Sequence, residues 1–265
     1  VSDAENRPPW PLGKTNRAKL ALKKYRQRWG LYLLEGESTV RDAIMSGSDI
    51  HGVLFDPRLQ EKSGDNELLQ IFKKHNVSVI EVEEAELKAI SGLTTPPPVL
   101  AIMLEKEPDL PSIPPEPPMI LALDRVQDPG NVGTLIRSAA FYGIKEIWLG
   151  RGTVERYNPK VLRAAMAAHL QLSVIPNVDL HEAVVQAKNA GCPVYVADME
   201  GGEEVGKIDS NHPPILILGN EPAGVDPELV AAADSRVAIL RRGPVDSLNV
   251  AMAGTVLMDR LLAKR

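Results

Sequence analysis

Between Glu105 and Pro118 the chain carries six prolines: Pro108, Pro111, Pro114, Pro115, Pro117 and Pro118. Proline has no N–H and a fixed φ, so neither a helix nor a central strand runs through such a stretch. It reads as an extended, semi-rigid linker. The 265 residues therefore divide into a first unit at 1–104, the linker at 105–118 and a second unit at 119–265. Each unit has to bury a core of its own.

In the first unit the pattern alternates. Residues 1–13 are proline-rich and are expected to be poorly ordered. A helix is predicted over Thr15–Arg28, capped by Thr15 or Asn16 and stopped by Gly30. A strand at Leu31–Leu34, a helix at Ser38–Met45 and a strand at Ile50–Phe55 follow. A helix is next expected at Asp65–His75, with Leu68, Leu69 and Phe72 on one face. Strands at Val77–Val82 and Val99–Leu104 flank a short helix at Glu83–Ile90. This is a small α/β domain.

The second unit repeats short aliphatic runs followed by helical periodicity. Strands are predicted at Met119–Val126, Glu146–Leu149, Ser173–Ile175, Pro193–Ala197, Ile215–Leu218 and Val237–Leu240. Asn158-Pro159 and Asp226-Pro227 each place a cap before a first-turn proline, the preferred helix start. Strands that read as continuous apolar runs between helices imply a mostly parallel sheet covered on both faces.

Composition narrows the function classes. No apolar run approaches the ~18 residues that span a bilayer. The single cysteine, Cys192, allows no intrachain disulfide, so a reducing, cytoplasmic setting is expected, with an organellar matrix still open. Five scattered histidines show no metal-ligand spacing, and no metal is expected. The net charge is −5, yet Asn6–Leu34 holds eight basic residues and no acidic one. Arg17, Lys23, Lys24 and Arg26 lie there among Trp10, Tyr25, Trp29 and Tyr32. Cations attract phosphate and aromatic faces stack on unpaired bases, so the segment is a candidate RNA contact.

Three strand-to-helix corners of the second unit concentrate polar side chains, and open α/β sheets bind ligands at such corners. They are Asp124–Arg137, Ile217–Gly224 and Gly243–Asn249, and they carry Asn131, Arg137, Glu221, Ser247 and Asn249. The spacing is neither G-x-G-x-x-G nor G-x-x-x-x-G-K-[ST]. Asn131 suits a helix cap. Arg137, flanked by Leu135, Ile136, Ala139 and Ala140, either pairs with a carboxylate or meets a substrate oxygen. Glu221 either accepts loop hydrogen bonds or positions Arg137 or Asn131. Ser247 either caps the last helix or, with Asn249, holds a substrate hydroxyl. No G-x-S-x-G elbow is present, so Ser247 is not read as a nucleophile.

The three corners resemble the signature motifs of the SpoU (TrmH-like) family of RNA ribose 2′-O-methyltransferases, in the SPOUT superfamily. Asn131-Val-Gly133 with Arg137-Ser-Ala139 and Gly143 matches the first motif. Leu218-Gly-Asn-Glu221 with Gly224 matches the second, and Gly243-x-Val-x-Ser-Leu-Asn-Val250 the third. Tyr157-Asn-Pro-Lys-Val161 followed by Arg163-Ala is similar to another phrase of the family. Lys24-Tyr-Arg26 and Leu34-Glu-Gly36 resemble its N-terminal substrate-binding domain. The chain departs from the pattern at Ala167, a usual glycine position, and at Pro222. It departs again at Leu240-Arg241-Arg242, where Pro-Met is usual after the strand and the two arginines suit phosphate.

The resemblance implies methyl transfer from S-adenosylmethionine to a ribose 2′-hydroxyl of structured RNA, ribosomal RNA ahead of transfer RNA. A catalytically silent RNA-binding assembly factor of the same fold is the alternative. It further implies a deep trefoil knot, a homodimer through the C-terminal domain, and cofactor contacts at Met199, Gly219, Ile239 and Leu248. Arg137, Asn131, Glu221, Ser247 and Asn249 are the implied catalytic set, with Arg137 acting in its own or the partner's site.

Overall fold

The computed structural model describes residues 7–57, 67–106, 111, 119–198, 203–204, 213–220 and 222–263. It separates into two compact units, Val1–Glu107 and Pro108–Arg265. Most of the proline-rich linker falls outside the described residues.

In the first unit, helices α1 (Lys14–Lys19) and α2 (Lys23–Trp29) precede strand β1 (Leu31–Glu35). Then come α3 (Glu37–Met45), β2 (Ile50–Phe55), α4 (Glu67–Lys74), β3 (Val79–Glu81), α5 (Glu84–Ser91) and β4 (Val99–Leu104). The sheet order is β1-β4-β2-β3, with β4 antiparallel to both β1 and β2, and β2 parallel to β3. The single helix expected over Thr15–Arg28 is two, with no side-chain cap on the first. The break lets Leu20 sink fully into the core. Gly30 ends α2 at φ +58, as a left-handed stop requires.

Residues 7–13 are ordered against the unit, contrary to the expectation from their prolines. Leu12 is buried, Arg7 Nε donates to the Trp29 carbonyl at 2.7 Å and Trp10 Nε1 donates to Ser78 Oγ at 2.6 Å. Burial of Leu12, with the hydrogen bonds of Arg7 and Trp10, outweighs the local lack of regular structure.

The second unit runs β5 (Ile120–Asp124), α6 (Pro129–Phe141), β6 (Glu146–Gly150), α7 (Pro159–Ala165), a 3-10 turn (Ala168–Leu170), β7 (Ser173–Val178) and α8 (Leu180–Asn189). It continues with β8 (Val194–Ala197), β9 (Glu203–Glu204), β10 (Ile215–Gly219), α9 (Pro227–Ala232), β11 (Ser235–Ala238) and α10 (Val250–Leu262). The strands form one sheet in the order β7-β6-β5-β10-β8-β11-β9, and the paired strands are parallel.

Strand alternation sorts the core onto two faces. Leu121, Leu123, Leu216 and Leu218 pack with α6, α7 and α10, through Leu135, Ile136, Val161 and Leu257. Ile120, Ala122, Ile215 and Ile217 pack with α8 and α9, through Leu180, Val184, Ala187 and Leu229. Two glycines permit the closest approaches on the first face. A Cβ on Gly133 would stand 2.4 Å from the Val161 carbonyl oxygen, and one on Gly254 2.5 Å from Leu218 Cδ1. Among the described residues no helix is long and apolar enough to cross a membrane.

Candidate functional site

Sheet order reverses between β5 and β10, since β5-β6-β7 grow one way and β10-β8-β11 the other. A parallel sheet opens a crevice at such a switch point, beyond the carboxyl ends of its strands. Here the β5 end is a charged clasp. Asp124 is buried and accepts the Asp226 backbone N–H at 2.8 Å. Arg125, at φ +56, folds back to donate to Asp124 through Nη2 at 2.9 Å and Nε at 3.1 Å. The hydrogen bond to Asp124 and the charges of Asp124 and Asp226 raise the Arg125 pKa. Asp226 caps α9, and the Glu228 N–H, then the Arg125 charge, hold its carboxyl below the usual range.

His181, Asp226 and Glu228 bring ligand-type atoms within 4.8 Å of one another beside this clasp. His181 and Glu228 are exposed, and the Arg125 guanidinium lies 3.9 Å from Asp226, which disfavours a second cation.

On the other side of the reversal, the ends of β8, β10 and β11 border a pocket of about 580 Å³, within the usual range for small-molecule sites. Its apolar wall includes Ala197, Leu218, Val237, Ile239, Leu248 and Leu257. Asp198, Asn220, Arg241, Arg242, Ser247 and Asn249 supply its polar groups. Gly219 lies where β10 turns back on itself: a Cβ would stand 2.3 Å from the Gly224 backbone carbon and the Val225 nitrogen. Asn220 and Gly224 form a bridge across that turn, with Gly224 at φ +66. The missing Cβ at Gly219 thus lets the Gly224 and Val225 backbone pack directly on the end of β10. Residues 240–249 are exposed throughout, with Leu240, Val245 and Leu248 among the protein's most exposed large apolar side chains.

The residues singled out in the sequence fall into distinct groups. Gly219, Ile239, Leu248, Ser247 and Asn249 line the pocket. Asn131 joins them through Asn249, whose Nδ2 donates to Asn131 Oδ1 at 2.9 Å. Met199 and Glu221 lie outside the described residues. Two helix caps differ from expectation. Asp128, not Asn131, caps α6, accepting the Asn131 N–H at 2.8 Å, because the proline at 129 already starts the helix. Asn249, not Ser247, caps α10, accepting from the Ala251 and Met252 N–H groups. The helix begins at Val250, too far along for Ser247 to reach its first turn.

Arg137 does not lie against an apolar stretch. The helical phase turns Leu135, Ile136 and Ala139 into the core and leaves Arg137 exposed, with Nη1 2.9 Å from the Met166 sulfur. Met166 and Ala167 take φ +47 and +64 at the end of α7, which explains why glycine is usual at the second position. In the first unit, Arg26 is 9% exposed and donates to the Leu20 and Ala21 carbonyls, and Arg17 pairs with Glu86 and the Leu12 carbonyl. Both guanidiniums are thus engaged by acceptors within the unit. Lys23 and Lys24 are exposed, as are Lys14 and Arg28. Sequence reasoning missed Asp124 and Asp198. An acid ending an apolar strand was the available signal for both.

Residues 118–259 match the SpoU rRNA Methylase family. The chain belongs to that family. Residues 16–101 match the MRM3-like substrate binding domain. Among SpoU relatives, the Bacillus subtilis 23S rRNA (guanosine(2553)-2'-O)-methyltransferase RlmP is 31% identical over 243 residues, covering 92% of this chain and 93% of that protein. The Mus musculus protein named rRNA methyltransferase 3, mitochondrial, is 30% identical, covering 88% of this chain and 68% of its own length. A solved structure of an AdoMet bound rRNA methyltransferase from Sinorhizobium meliloti superimposes with TM-score 0.80 at 27% identity, covering 100% of this chain and 97% of that one.

Proposed function

We propose that this SpoU-family protein transfers a methyl group from S-adenosylmethionine to a ribose 2′-hydroxyl of ribosomal RNA. The observation that carries the reading is one pocket bordered by the second and third motifs and tied to the first through the Asn249–Asn131 hydrogen bond. The residues present fit the cofactor. An apolar wall at Leu218, Ile239 and Leu248 suits an adenine ring, and Asp198 and Asn220 beside it suit ribose and amino-acid groups. Met199 is assigned to the same site on the family resemblance. S-adenosylmethionine, when bound, supplies an electrophilic methyl carbon.

The chain's own task is to present the hydroxyl. Asn131 and Asn249 are mutually oriented, and Ser247 offers a hydroxyl on the same rim. Glu221 is assigned to hold the second corner. Arg137 is not assigned as a base, because a guanidinium offers hydrogen-bond donors and no acceptor. It is assigned as an electrostatic partner for the negative charge that develops on the attacking 2′-oxygen. Phe141, Met252 and Met166 are 84%, 60% and 49% exposed on α6, α10 and the α7 end, the elements around Arg137. Exposed apolar groups of that kind support a homodimer through the C-terminal domain, with Arg137 at the partner's site. The knotted threading of this domain, the linker at 105–118, RNA contacts at Lys23 and Lys24, a metal-free reaction and a cytoplasmic or organellar-matrix location complete the reading.

The test is transfer of label from S-adenosylmethionine to unmodified ribosomal and transfer RNA, followed by alkaline hydrolysis. A 2′-O-methyl blocks cleavage at its own linkage, so label is expected in alkali-resistant dinucleotides from ribosomal RNA. Arg137→Ala should lose turnover while still binding the cofactor. Cofactor binding without incorporation into either RNA would point to an RNA-binding assembly factor instead.

A further inference from the structure

The loop between β11 and α10 departs from its family's pattern by carrying two arginines at the mouth of the pocket. Arg241 and Arg242 are the only cationic side chains that line it among the described residues, and both are exposed. Arg241 Nη1 donates to Asp246 Oδ1 at 2.8 Å, across the Gly243-Pro244-Val245 turn. Among the described residues Arg242 makes no hydrogen bond or ion pair. The chemistry of the substrate constrains what passes this mouth. A ribose 2′-oxygen sits on the carbon next to the one bearing the 3′-phosphate, so a nucleotide presenting that oxygen brings a phosphodiester with it. An exposed ion pair exchanges partners readily, and a guanidinium binds phosphate bidentately.

We propose, on the basis of the methyltransferase reading above, that Arg241 and Arg242 grip the RNA phosphate beside the target ribose. In this arrangement Asp246 is a resident anion that holds Arg241 extended toward the mouth until the phosphate displaces it. The pair is thus a substrate-positioning device of this chain, separate from the cofactor contacts at Gly219, Ile239 and Leu248. Asp246 is 95% exposed, so its release needs no repacking.

The experiment uses the full chain with S-adenosylhomocysteine present and fluorescein-labelled in vitro transcribed 23S ribosomal RNA, read by anisotropy over a salt series. Calorimetry measures S-adenosylmethionine binding in parallel. Arg241→Ala with Arg242→Ala should weaken RNA binding tenfold or more and flatten the log K against log salt slope by about 1 to 2, since each phosphate contact contributes about 0.7 to 0.9. Cofactor affinity should stay within about twofold of the parent. Asp246→Asn should tighten RNA binding, opposite in sign to the arginine variants, whereas a merely structural ion pair would make both substitutions harmful and leave the salt slope unmoved. Unchanged RNA affinity, or a loss of cofactor affinity with RNA binding intact, overturns the assignment. Failure of the parent protein to bind S-adenosylmethionine overturns the methyltransferase reading itself, and is distinguishable from either result.

Discussion

Asn249 combines two duties that substitution can separate. Its Oδ1 caps α10 at the Ala251 and Met252 N–H groups, and its Nδ2 donates to Asn131 at the first corner. Loss of an Asn cap costs about 1 kcal/mol. Loss of a side-chain hydrogen bond at an exposed position costs about 0.5 to 1 kcal/mol. Asn249→Ala should therefore destabilise the second unit by about 1.5 to 2 kcal/mol, lowering Tm by about 3 to 8 °C for a unit of this size. Asn249→Asp keeps the cap acceptor and adds a charge that the helix N-terminus favours, but it removes the donor. Its Tm should fall by less than half as much. Methyl transfer should be lost in both variants. The paired assays are thermal unfolding of each variant and turnover on ribosomal RNA. If Asn249→Asp melts as early as Asn249→Ala, the cap is not what the side chain supplies. If it turns over at the parent rate, the contact with Asn131 has no part in the chemistry.

Two further predictions concern stability. His169 has its pKa lowered to about 4, chiefly by burial and secondarily by the Arg156 charge. The unfolded chain therefore binds this proton first, so stability is full above about pH 6.5 and falls as pH drops toward 4, by about 2 kcal/mol at pH 5. Urea unfolding at pH 7.5 and pH 5 should show that gap narrowed in His169→Gln, and an equal gap in both proteins would refute the assignment. At Gly133 an added Cβ would meet the Val161 carbonyl oxygen at 2.4 Å and Ala164 Cβ at 2.5 Å. Gly133→Ala gains about 1 kcal/mol of helix propensity but forces α6 from α7, and overpacking typically costs about 1 to 3 kcal/mol. Because one obstacle is backbone, destabilisation should win, and a raised Tm would show that the helices separate freely.

Strand positions in both units were legible because each is a short aliphatic run bounded by turn residues, as at Ile50–Phe55 and Val99–Leu104, which fold as read. Caps backed by proline, at Asn158 and Asp226, were equally plain. What the sequence hid depends on partners distant along the chain. Arg17 and Arg26 look like any surface cations until Glu86 and the α1–α2 break supply acceptors for them. Leu20–Leu22 has no helix breaker, and the division of α1 from α2 comes from tertiary burial of Leu20. The exposure of Arg137 follows from helix phase, since packing turns Val132, Leu135, Ile136 and Ala139 inward and leaves Arg137 on the opposite face. At the site, the three corners were readable as motifs, but only the fold shows that the second and third enclose a pocket while the first reaches it through Asn131.

The position of β10 has a kinetic consequence. It lies between β5 and β8, pairing Ile215 with Ile120 on one side and with Val194 on the other. As the chain leaves the ribosome, β5, β6 and β7 emerge in the order in which they neighbour one another. β8 then has no strand to join until residues 215–219 or 235–238 arrive. The middle of the sheet is therefore filled late, by a pairing that closes a long loop, and such pairings fold slowly. Until then the apolar edges of β5 and β8 stay unpaired and open to association with other chains. The same late strand carries Gly219, so the pocket is completed only as the sheet itself closes.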